Sequence, residues 1–101
     1  MEYKKKNYES ETELFLLGKL ISEDRDEFIK IINDFVKSPQ KTFIVNLEDI
    51  TFVDSAGLGF MFIALQELNN VSKELILRKP QGHVKDLFEL LNFQSVFTVE
   101  F

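Results

Sequence analysis

The chain has 101 residues, 45% hydrophobic and 29% charged, with 11 Phe, one His and no Cys. That is enough apolar sequence for one core, which excludes a disordered chain, and the missing Cys excludes disulfides, thiol nucleophiles and cysteine zinc sites. Seventeen acidic against twelve basic residues leave a net charge of −5, so the basic footprint of a dedicated nucleic-acid binder is missing.

Lys4-Lys5-Lys6 near the N-terminus is flanked by Glu2 and Glu9 and reads as a solvated face, since no apolar h-region follows it. Residues 3–8 are a weak strand candidate. Leu14-Phe15-Leu16-Leu17, ending at Gly18, is a better one, with Ser10-Glu11-Thr12 as the turn between them. Ser22 reads as an N-cap, followed by Glu23, Asp24, Asp26 and Glu27 in the first turn. Phe28, Ile31, Ile32 and Phe35 then recur at helical spacing, and Pro39 stops the pattern, which predicts a helix over 22–37. Phe43-Ile44-Val45-Asn46-Leu47 reads as a strand buried on both faces. Residues 48–54 are expected to be an apolar loop, and a second helix should run from Ser55 to about Asn69. A strand over 73–78, a short helix around Val84, Leu87, Phe88 and Leu91, and a strand over 95–99 complete the chain. The most apolar stretch, Leu58 to Leu68, is too short to span a bilayer, so no membrane insertion is expected. Lack of Cys and of an export signal points to the cytoplasm.

After its first hairpin the chain alternates strand with helix. The expected fold is therefore a single α/β domain over 1–101: a mixed sheet of four or five strands, mostly parallel, with three or four helices packed on it.

The most informative stretch is Asp54-Ser55-Ala56-Gly57-Leu58-Gly59, where the apolar loop meets the second helix. Two glycines in a first helical turn each cost about 1 kcal/mol relative to Ala. Either the helix start packs closely on the sheet, or it is kept open to something external. On the first reading Ser55 is an N-cap, Asp54 orders the turn and the glycines permit tight packing. On the second, Ser55 offers its hydroxyl at a helix N-terminus, where a phosphate would meet oriented N–H groups. On a helical wheel Leu58, Met61, Phe62, Leu65 and Leu68 form the expected core arc. Phe60 and Ile63 point away from it, either as a contact patch beside Ser55 or as residues covered by a neighbouring element.

Phe52-Val53-Asp54-Ser55-Ala56-Gly57-Leu58-Gly59, preceded by the strand at 43–47, resembles the signature of bacterial anti-sigma factor antagonists. These are single-domain members of the STAS group. The resemblance extends from the Leu16-Leu17-Gly18 strand end to Leu90-Leu91-Asn92-Phe93, although the family commonly has an Asp soon after the glycine and this chain reads Gly18-Lys19-Leu20-Ile21-Ser22. It implies that Ser55 is a phosphoacceptor for an anti-sigma factor with serine kinase activity, and that a serine phosphatase resets it. It also implies that Asp54, Gly57 and Gly59 belong to the partner contact. No catalytic residue, cofactor or metal is implied. A STAS adaptor in another assembly, such as a stressosome-type complex or a transporter accessory subunit, is the alternative. A serine hydrolase fits poorly, because Val53 replaces the first glycine of a Gly-x-Ser-x-Gly elbow and His83 is the only base. Asp49 and Asp54 alone make a weak cation site.

Overall fold

The computed structural model describes all 101 residues. Strand β1 (Glu2–Asn7) runs antiparallel to β2 (Glu11–Leu20), and a short 3-10 turn (Ser22–Asp24) leads into helix α1 (Arg25–Val36). Strand β3 (Thr42–Val53), helix α2 (Ser55–Asn70), strand β4 (Glu74–Arg78), helix α3 (Gly82–Leu90) and strand β5 (Thr98–Glu100) follow in alternation. The five strands lie in the order of the sequence, with β2 to β5 parallel. Three successive right-handed crossovers in one direction must put all their helices on the same side. The core agrees. Leu14, Leu16, Phe43, Val45, Leu47, Leu75 and Leu77 of one sheet face join Phe28, Ile32, Phe60, Met61, Val84 and Phe88 of the three helices in one buried cluster.

The principal departure from expectation is at residues 48–53, which continue β3 instead of forming a loop. They pair with the end of β2, where the register shifts between Phe15 and Leu17 and again between Gly18 and Lys19. These irregularities break the period-two pattern: Ile50 and Val53 are buried three residues apart. Gly18 takes φ +79° at the bend, and the Thr51 hydroxyl donates to its carbonyl at 2.9 Å. The first hairpin turns earlier than expected, closed by Tyr8 N–H donating to Glu11 O at 2.7 Å. At the other end, Asn92 adopts a left-handed conformation and a 3-10 turn (Phe93–Ser95) delays β5 until Thr98. That turn folds Phe93 back onto Phe88, at 4.5 Å between ring centroids, and onto Phe97 at 4.9 Å.

Helix α2 also departs in its orientation. Its buried residues are Gly57, Phe60, Met61, Ala64 and Leu68, while Phe62 is 46% exposed. The helix is covered from two directions, by the sheet and by α1, and Phe60 stacks on Phe28 of α1 at 5.9 Å. A helix that is apolar nearly all round offers a wheel no single face to select.

Candidate functional site

The β3–α2 junction is built around Asp54. With an extended backbone at φ −88° and ψ 179°, it is the N-cap of α2, and its Oδ1 accepts from Gly57 N–H at 2.7 Å. Its Oδ2 accepts from Ser22 N–H at 3.1 Å, and its own N–H donates to Leu20 O at 3.3 Å. One carboxylate thus ties the start of α2 to the segment that leads into α1. Ser22, expected as a side-chain cap, takes part through its backbone only, while Asp24 Oδ2 caps the 3-10 turn by accepting from Ile21 N–H at 2.9 Å.

Capping by Asp54 corrects the reading of Ser55 as the N-cap. Ser55 is the first residue of α2, exposed, and its hydroxyl is not used to cap the helix. The amides of Ser55 and Ala56 precede the first intrahelical bond, Leu58 N–H to Asp54 O at 3.1 Å, so they point outward at the positive end of the helix dipole. None of the four surface depressions includes Ser55. The hydroxyl stands on open surface, a geometry suited to a macromolecular partner and ill suited to enclosing a small substrate.

The two glycines, grouped together in the sequence, separate in the structure. A Cβ on Gly57 would come within 2.4 Å of Leu20 O and 2.8 Å of Val53 Cγ1, so this residue lets the first turn of α2 sit against the strand ends. A Cβ on Gly59 would meet nothing within 4 Å. Nothing in the fold requires glycine there, although glycine weakens the helix.

Of the expected apolar patch, Phe60 is 4% exposed and so is not available at the surface, and Ile63 is partly buried against the core. The aromatic ring that the surface does present is Phe62. It follows Ser55 by seven residues and Gly59 by three, which places all three along one side of α2. Its ring meets Phe97 edge-on at 4.9 Å and Phe93 at 5.6 Å, so it is both anchored and accessible. Phe52, 48% exposed at the end of β3, lies flat against the His83 imidazole, 6.2 Å between centroids and 7° between planes. Asp49 and Asp54 do not form part of any cluster of three or more His, Asp or Glu side chains that could hold a metal ion.

Comparison with known proteins places these features in context. The STAS domain family model matches residues 4–100. The chain is 30% identical over 64 residues to BtrV of Bordetella bronchiseptica, which carries the provisional name of an anti-sigma factor antagonist. It is 27% identical over 73 residues to the anti-sigma-B factor antagonist of Staphylococcus aureus. The matches span 63% and 72% of this chain, and 55% and 68% of those relatives. In fold it is similar to the anti-sigma factor antagonist SpoIIAA in its unphosphorylated form, with a TM-score of 0.79 at 20% identity over 99% of this chain and 88% of that one. The phosphorylated form of SpoIIAA, a Bacillus cell fate determinant, aligns with a TM-score of 0.76 at 20% identity over 99% of this chain and 92% of that one. No helix here is long and apolar enough to cross a membrane.

Proposed function

The chain belongs to the STAS domain family, and from that premise we propose that it is an anti-sigma factor antagonist switched by phosphorylation of Ser55. The unphosphorylated chain binds an anti-sigma factor that is also a serine kinase, and so frees a sigma factor in the cytoplasm. Phosphorylation of Ser55 blocks that binding, and a serine phosphatase restores it. The observation that carries the reading is the division of labour at the helix start. Asp54 supplies the cap, which leaves the Ser55 hydroxyl exposed and uncommitted.

A phosphate at this position adds about −1.5 to −2 charge beside free amides and the helix dipole, which offset part of its cost. The fold tolerates both states, and the change is felt at the surface. Ser55, Gly59 and Phe62 make one line of contact: a hydroxyl that changes charge, a bare backbone for close approach, and an aromatic anchor. Asp54 and Gly57 support this line from beneath by holding the first turn in place.

The test is phosphate transfer from ATP by the anti-sigma factor kinase of the same organism, with wild-type chain and Ser55→Ala. Incorporation should reach one phosphate per wild-type chain and vanish in the variant. Incorporation that persists in Ser55→Ala would remove Ser55 as the acceptor.

A further inference from the structure

All three helices lie on one face of the sheet, and the opposite face carries none. Parallel strands ordinarily have both faces covered. What this bare face presents follows from the register. Lys4 stands opposite Phe15, Phe15 beside Asn46, Asn46 beside Arg78, and Arg78 beside Glu100. One row therefore crosses all five strands in the order cation, aromatic ring, amide, cation, anion.

The row is held in place from within. Asn46 Nδ2 donates to Glu13 Oε2 at 2.9 Å, Arg78 Nη1 to Glu13 Oε1 at 3.3 Å, and Arg78 Nε to Glu100 Oε1 at 2.7 Å. Lys4 and Glu100 at its ends are exposed, Phe15 and Arg78 are half-buried, and Asn46 at the centre is buried; Lys6 Nζ of the same chain lies 5.6 Å from the Phe15 ring.

This row is complementary to its own reverse. We infer that the bare face docks a second copy of the chain, the two sheets stacked about a two-fold axis parallel to the strands. That axis carries β1 of each copy over β5 of the other and leaves β3 over β3. Lys4 then meets Glu100 of the other copy and Phe15 meets Arg78 in a cation–π arrangement, while Asn46, buried and bonded to Glu13 and Glu48 of its own chain, lies beneath the axis without a partner across it. The other in-plane axis, across the strands, sets the lysines of β1 against one another and is disfavoured by like charge. Five strands at a spacing of about 4.8 Å, sharing only a short common stretch because β5 is three residues long, offer roughly 400 Å² per copy. A standard stable interface has about 800 Å² per partner, so the dimer is weak and concentration-dependent. Ser55 belongs to the helical side and stays open, so this inference stands apart from the proposed switch.

Sedimentation velocity of the full chain from about 0.01 to about 1 mM, in about 20 mM and about 500 mM salt, tests it. The sedimentation coefficient should rise with concentration at low salt, and less at high salt. Lys4→Glu, on an exposed edge strand and checked for an unchanged melt, should weaken association about tenfold, and Lys4→Glu combined with Glu100→Lys should recover it. A monomer at every concentration overturns the inference. So does association that Lys4→Glu leaves intact, or that Phe62→Asp on the helical side abolishes.

Discussion

At the scale of single residues, the junction separates roles that the sequence leaves together. Gly57 faces a backbone carbonyl at a distance no Cβ can occupy, whereas Gly59 faces open space. Gly57→Ala should therefore cost about 2–3 kcal/mol, because α2 must shift away from Leu20. Gly59→Ala should be neutral or stabilising by up to about 1 kcal/mol, through improved helix propensity. Urea denaturation of the two variants checks both; equal destabilisation would contradict the packing described here. If Gly59 is reserved for close approach by a partner, its Ala variant should bind the anti-sigma factor more weakly despite being at least as stable. The sequence showed that two glycines opened the helix, but not which was needed, because the closeness of Leu20 depends on a strand far away in the chain. The choice between Asp54 and Ser55 as cap was equally hidden, since both side chains can cap and only the backbone conformation decides.

At the scale of elements, strongly one-sided patterns were legible and two-sided ones were not. Helix α1 buries Phe28, Ile31, Ile32 and Phe35 as their spacing implied. Helix α2 is apolar on nearly every side, and the wheel exchanged the places of Phe60 and Phe62. Substituting each by Asp makes the consequence measurable. Phe60→Asp buries an unpaired carboxylate between α1 and the sheet, and should unfold the domain or lower its stability by about 3–5 kcal/mol. Phe62→Asp should change stability by about 1 kcal/mol while weakening partner binding about tenfold or more. A thermal melt alongside a pull-down titration distinguishes them, and a Phe62→Asp chain that binds normally would take Phe62 out of the contact. Strand β3 was read too short for a different reason. Its last six residues pair with a bulged segment of β2, and a bulge erases the alternation by which a strand is recognised.

At the scale of the whole molecule, topology was the most legible feature. Alternating strands and helices with right-handed crossovers leave few arrangements, and the structure adopts one of them with a radius of gyration of 12.4 Å. One tie between distant parts was not legible: the Met1 amino group lies 3.2 Å from Glu27 and 3.3 Å from Asp24. Hydrogen bonds to Glu27 and then Asp24 raise its pKa above the usual 8.0. A group whose pKa is raised on folding stabilises fully below its unfolded value and loses that contribution as pH climbs through the folded one. The urea midpoint of this 101-residue chain should thus fall from pH 7 to pH 10, and Glu27→Gln should reduce that fall. A slope unchanged by Glu27→Gln would show that the pair contributes nothing.

The central claim also belongs to this scale, because a net charge of −5 makes one more phosphate a small global change and a large local one. The most direct measurement is calorimetric titration of the anti-sigma factor kinase with three forms of the chain: unmodified, phosphorylated, and Ser55→Ala. The unmodified and Ser55→Ala chains should bind comparably, and the phosphorylated chain at least about tenfold more weakly, a difference of about 1.4 kcal/mol. Equal affinity of the phosphorylated and unmodified chains would contradict the switch.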